Sequence, residues 1–148
     1  MVTSKINVLF LCVANSARSQ MAEGLAKSTL GDNFWIESAG SNPSGFVQPM
    51  AIEVLKEENI DISANFSKSI DELDKKFLRD LSYVITLCQE EICPLIDVKA
   101  MHLSWPCPDP IQFRLQQSVP SDLEAYRKVR DQIKQKLIDF SKQLIFKA

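Results

Sequence analysis

Ile6-Asn7-Val8-Leu9-Phe10-Leu11-Cys12-Val13-Ala14-Asn15-Ser16-Ala17-Arg18-Ser19 decides the reading of this 148-residue chain. Ile6 to Leu11 is an apolar run without alternation, the pattern of a strand covered on both faces. Downstream, Met21, Ala22, Leu25, Ala26 and Leu30 recur at helical spacing, and Gly31 is placed to stop that helix. Between strand and helix, Cys12 and Arg18 are separated by five residues. A strand, a tight loop and a helix in that order predict a cradle whose N–H groups converge on a tetrahedral anion, with the helix dipole favouring its charge. Val13, Ala14, Asn15, Ser16, Ala17, Arg18 and Ser19 are the candidate oxyanion-binding residues. Arg18 adds a bidentate fork to two anion oxygens. Thiols at helix N-termini are acidified by the same field. Cys12 is therefore the candidate nucleophile, and the chemistry is attack by sulfur on a phosphate-like oxyanion.

Composition narrows the class. The chain is 45% hydrophobic and 24% charged, as expected of one globular domain spanning residues 1–148. A net charge of −2 provides no electrostatic footprint for nucleic acid or a membrane surface. No apolar run is long enough to cross a bilayer. Lys5, the run Ile6 to Ala14 and the small residues Asn15, Ser16 and Ala17 imitate a signal peptide, but cleavage there would destroy the Cys12–Arg18 loop. A cytoplasmic strand is the expectation. Four cysteines in such a protein point to catalysis or redox work before structural disulfides.

The rest of the chain alternates strand and helix signals. Phe34 to Ser38 reads as a second strand, Ser82 to Leu87 as a third and Met101 to Trp105 as a fourth. Pro49 opens a helix through Met50, Ala51, Val54 and Leu55. Ile70 to Leu78 reads as a weak helix. Three prolines between Trp105 and Pro110 exclude regular structure there. In the last helix, Ser121 and Glu124 form a capping box, and Leu123, Tyr126, Val129, Ile133, Leu137, Phe140 and Leu144 trace one face. The expected fold is α/β, a single three-layer domain with a central four-stranded parallel sheet and helices on both faces. Ligands of such sheets bind outside the carboxyl ends of the strands. Cys12 and Cys88 each follow a strand at once, so both are expected on that rim.

A second constellation is Cys88-Gln89-Glu90-Glu91-Ile92-Cys93. Two thiols this close, just after a buried strand and in a charged loop, suit thiol exchange. They are alternatively small buried hydrophobes. A zinc site would have to recruit His102 and Cys107, at a spacing unlike the usual short pairs. Asp109, between Pro108 and Pro110, is a candidate general acid or a simple turn former. His102 reads as structural, and Cys107 as a residue of the pocket mouth or a bystander.

Cys12 to Gly24 resembles the active-site loop of the arsenate reductases built on the low-molecular-weight protein tyrosine phosphatase fold. Further matches run in order: Glu37-Ser38-Ala39-Gly40, Asn59 to Ser63, Val84 to Cys88, Cys93-Pro94, Trp105 to Pro110, and Tyr126 to Asp131. The resemblance implies a sulfur relay. Cys12 attacks arsenic, Asp109 protonates the leaving oxygen, and Arg18 and the loop N–H groups stabilise the added charge. Ser19 and Asn15 hold the thiolate and the loop's shape. Cys88 then attacks Cys12, and Cys93 attacks Cys88. Thioredoxin, or glutaredoxin with glutathione, reduces the final disulfide, and no bound cofactor or metal is implied.

Three departures accompany the resemblance. The Cys88–Cys93 gap is shorter than in thioredoxin-linked members, so glutathione or glutaredoxin stays open as reductant. Ala17 stands where many members have a cysteine. Phe66 stands where some offer a hydroxyl to a potassium ion, leaving Asn15, Glu23 and Ser38 as the remaining cation ligands. Two other functions fit the loop. A phosphatase working through a phosphocysteine on Cys12 needs only Cys12, Arg18 and Asp109. A non-catalytic oxyanion sensor would leave an intact nucleophile, arginine and acid unused.

Overall fold

An apolar strand without alternation needs cover on both faces, and Ile6–Cys12 has it: Val8, Leu9, Phe10 and Leu11 are fully buried. The structure, a computed structural model, describes residues 5–89, 96, 98–117 and 119–147. Strands β1 (Ile6–Cys12), β2 (Phe34–Gly40), β3 (Leu81–Thr86) and β4 (Met101–Ser104) form a sheet in the order β2-β1-β3-β4. All three pairings are parallel, and Leu11 sits between Ala39 on one side and Thr86 on the other. The helices are α1 (Arg18–Leu30), α2 (Pro49–Lys56), α3 (Lys75–Arg79), α4 (Pro110–Gln117) and α5 (Asp122–Lys147).

The two faces bury different sets of residues, as the period-two geometry of a strand requires. Val8, Phe10, Ile36 and Ile85 pack with Met21 and Leu25 of α1, Val54 and Leu55 of α2, and Val129, Ile133 and Leu137 of α5. Leu9, Leu11, Ala39 and Val84 pack on the other side with Leu73 and with Phe77 of α3. The architecture is the expected three layers around a four-stranded parallel sheet.

Three elements differ from the expectation. Ile70 to Leu78 is not one helix but a 3₁₀ turn, Ile70–Glu72, followed by α3. Leu73 is extended, and the Asp74 side chain accepts from the N–H groups of Lys76 and Phe77, so it starts a new helix instead of continuing the old one. Helix α4 was not expected. Pro110 is tolerated in its first turn, and Asp109 Oδ1 accepts from the Ile111 N–H at 2.9 Å. At α5, the Glu124 N–H donates to Ser121 Oγ at 3.1 Å as a capping box requires, but the Glu124 carboxylate turns to Arg127. Among the described residues no helix is long and apolar enough to cross a membrane.

Candidate active site

Strand β1 ends at Cys12 and α1 begins at Arg18, so five residues turn the chain from sheet to helix. Asn15 makes the turn at φ 49°, a left-handed conformation that asparagine tolerates better than most residues. Its side chain is held from four sides. Oδ1 accepts from the Lys68 N–H and from Gln20 Nε2, both at 3.0 Å. Nδ2 donates to Ser19 Oγ at 2.8 Å and to Ser38 Oγ at 3.0 Å. The loop's carbonyls are bound to the surrounding chain. Val13 accepts from the Asn42 N–H, Ala14 from the Ser44 N–H and the Ser67 hydroxyl, and Ser16 from the Gln48 N–H. That leaves the N–H edge of the loop for an anion. Helix α1 completes the cradle, because it has no side-chain cap and no acidic residue in its first turn.

Cys12 lies on the floor, 3% exposed. Its Sγ is 2.8 Å from Ser19 Oγ and accepts from the Asn15 N–H at 3.3 Å. Arg18 is buried over the loop, Nη1 donating to the Cys107 carbonyl at 3.1 Å and Nη2 lying 3.9 Å from Asp109 Oδ2. The Arg18 guanidinium thus joins the nucleophile loop to the segment that carries the candidate acid. Tyr126 lies behind that segment. Burial, with Asp109 and Asp122 adding to it, pushes its phenol up to about 12.

The rim brings the remaining candidates together in part. The Leu87 N–H donates to the Leu11 carbonyl, so Cys88 follows its strand directly beside the end of β1. Cys88 is half-buried and disulfide-bonded, whereas Cys12 and Cys107 are in no disulfide. Cys93 lies outside the described residues. Cys107 is buried, with its thiol directed at the Leu87 carbonyl. Asp109 has one carboxylate oxygen capping α4 and the other facing Arg18. His102 is exposed on the edge strand β4, with Nε2 3.4 Å from the Val98 carbonyl. Among the described residues no cluster of three or more His, Cys, Asp or Glu could hold a metal ion.

Sequence reasoning missed Gln20 and Lys68. Gln20 is fully buried and donates through Nε2 to the Asn15 carbonyl, to Asn15 Oδ1 and to the Phe66 carbonyl. Lys68 is 6% exposed. No local pattern marks either residue. Each reaches the loop only through the tertiary fold. The one available signal is that Ser19 and Glu23 share a face of α1 at i, i+4.

Comparison with known proteins agrees with this geometry. Arsenate reductase 2 of Staphylococcus saprophyticus is 38% identical over 92% of this chain and 96% of its own length. An arsenate reductase solved in a phosphate-binding state superposes with a TM-score of 0.74 at 33% identity, covering 93% of this chain and 98% of that one. A thioredoxin-dependent arsenate reductase of Corynebacterium glutamicum superposes with a TM-score of 0.71 at 25% identity, covering 99% of this chain and 64% of that one. Residues 7–147 match the model of the low molecular weight phosphotyrosine protein phosphatases, and it is to this family that the chain belongs.

Proposed function

We propose that the protein reduces arsenate to arsenite by a cysteine relay. The Cys12 thiolate displaces an oxygen of arsenate, which leaves as water after Asp109 supplies a proton. Arg18 and the N–H groups of residues 13–19 hold the remaining oxygens. The Cys88 thiolate then attacks Cys12 Sγ. The S–As electron pair passes to arsenic, arsenite departs, and a Cys12–Cys88 disulfide remains. Cys93 attacks Cys88 in turn and releases Cys12 as a thiolate, ready for another arsenate. An external thiol protein, thioredoxin or else glutaredoxin with glutathione, reduces the last disulfide in a cytoplasmic setting.

The observation that carries this reading is the pairing of two sulfurs at neighbouring strand ends. One lies in an anion cradle, and the other, Cys88, is engaged in a disulfide while Cys12 is free. A phosphatase of the same fold needs no second thiol. The arsenate reductases that resemble the chain support the choice of oxyanion, and the thioredoxin-dependent one supports the reductant.

The test is arsenate-dependent NADPH oxidation with thioredoxin and its reductase, run beside a glutaredoxin–glutathione system and a phosphate ester. Turnover with either thiol system is expected. Ester hydrolysis without arsenate reduction would replace the reductase reading by the phosphocysteine one.

A further inference from the structure

Cys107 is a buried thiol that the relay does not use, and it stands where three parts of the site meet. It is 3% exposed and in no disulfide. Its N–H donates to the Leu87 carbonyl at 3.2 Å, and its Sγ donates to the same oxygen at 3.5 Å. Its own carbonyl accepts from Arg18 Nη1 at 3.1 Å. The Leu87 carbonyl belongs to the peptide unit that leads into Cys88, and the Leu87 N–H donates to the Leu11 carbonyl, next to Cys12. Cys107 thus ties the arginine fork to the rim where β1 and β3 end.

The make-up of the segment concentrates this duty on one residue. In Trp105-Pro106-Cys107-Pro108-Asp109 the prolines carry no N–H, so Cys107 has the one backbone donor between Trp105 and Asp109. Its thiol adds a second donor to the same carbonyl. On the outer side, a cavity of about 420 Å³ lies between Trp105, Pro106 and Cys107 and the α5 residues Gln132, Lys136 and Asp139. Packing covers that side of the segment incompletely, so directional bonds set how far the Cys107 carbonyl stands from the sheet. A planar guanidinium carries its donors in one rigid fork, so moving one acceptor re-aims the others. The far end of this fork, Nη2, already lies 3.9 Å from Asp109 Oδ2.

We propose that Cys107 is a positioning residue for Arg18. Its thiol, by holding the Leu87 carbonyl, fixes the place of its own carbonyl and so aims the guanidinium at the oxyanion. The proposal rests on the proposed function only in that the cradle takes a tetrahedral oxyanion. It gives the fourth cysteine a part in binding and none in electron transfer.

Calorimetric titration with inorganic phosphate, with the Cys88 disulfide intact, tests this without reduction. Cys107→Ala is expected to weaken phosphate binding about three- to tenfold, the range that one hydrogen bond supports. Cys107→Ser puts a donor back in the same place and is expected to restore binding to within about twofold of the wild type. In an Arg18→Lys background, which keeps the charge and loses the fork, adding Cys107→Ala is expected to cost less than about twofold more. Wild-type affinity in Cys107→Ala, a serine variant as weak as the alanine one, or losses that add in the Arg18→Lys background each overturn the proposal. Should Cys107→Ala fail to fold, Cys107→Thr and Cys107→Val make the same comparison at matched shape, and equal phosphate affinity in those two overturns it. Wild-type protein that binds no phosphate overturns the cradle reading itself, and the proposal with it.

Discussion

At the scale of single residues, the nucleophile loop tolerates very little. A Cβ on Gly40, at the end of β2, would collide with the Val13 carbonyl and press on the Asn15 nitrogen at 3.0 Å. Both atoms are backbone, so the loop itself must move. Gly40→Ala is expected to cut oxyanion affinity and Cys12 alkylation more than tenfold, with overpacking costing about 1–3 kcal/mol of stability. Calorimetric titration with phosphate and a denaturant melt check the two parts. The thiols separate by what accumulates. Cys88→Ser should stall at an arsenic adduct on Cys12, whereas Cys93→Ser should collect a Cys12–Cys88 disulfide, states that mass spectrometry of alkylated protein distinguishes. Normal turnover by Cys93→Ser with failure of Cys107→Ser would hand the third position to Cys107. Cys12, Arg18 and Ser19 were legible in the sequence because they lie within eight residues of one another. Lys68 was not, since it meets Asn15 across 53 residues of chain.

At the scale of elements, sequence pattern exposed β1 as an apolar run buried on both faces, α1 by apolar residues at helical spacing, and α5 by buried residues such as Tyr126, Val129, Ile133, Leu137 and Phe140 that repeat along one face. It failed where one side chain overrode the pattern. Asp74 split the Ile70–Leu78 segment, and Asp109 nucleated α4 directly after a proline-rich loop. The double duty of Asp109 permits a clean substitution. Asparagine caps a helix as well as aspartate but donates no carboxylic proton. Asp109→Asn should therefore leave the thermal midpoint within a degree or two of the wild type. The first chemical step, read by single-turnover quench with arsenate, should slow about 10²–10⁴-fold. Loss of stability with unchanged chemistry would reduce Asp109 to a cap.

At the scale of the whole molecule, an ion network ties the end of α2 to α5. Glu57 is bound by Arg127 at 2.8 Å and Arg130 at 2.7 Å, and Glu58 by Lys134 at 2.8 Å. Hydrogen bonds from Arg127 and then Arg130 hold the Glu57 carboxyl down to about 2, from an ordinary 4.5. A folded-state value below the unfolded one contributes stability that is present above pH 4.5 and lost as the pH falls towards 2. The thermal midpoint of Glu57→Gln should thus lie below the wild type at neutral pH and converge on it in acid. The gap should narrow in high salt, because these groups are part-exposed. A gap independent of pH would mean that packing of the side chain, and not its charge, joins the helices.

The sheet order also dictates when the protein becomes chemically competent. Strand β1 lies between β2 and β3, and the Leu11 carbonyl that anchors the rim waits for Leu87. A nascent chain cut off before residue 81 already holds Cys12, Arg18 and every loop N–H, yet it lacks the neighbour that sets the loop's height. Such parallel pairing over long sequence separations assembles slowly. Sulfur reactivity should consequently appear together with global folding during biosynthesis, so that an unfinished chain leaving the ribosome carries an ordinary, unselective thiol.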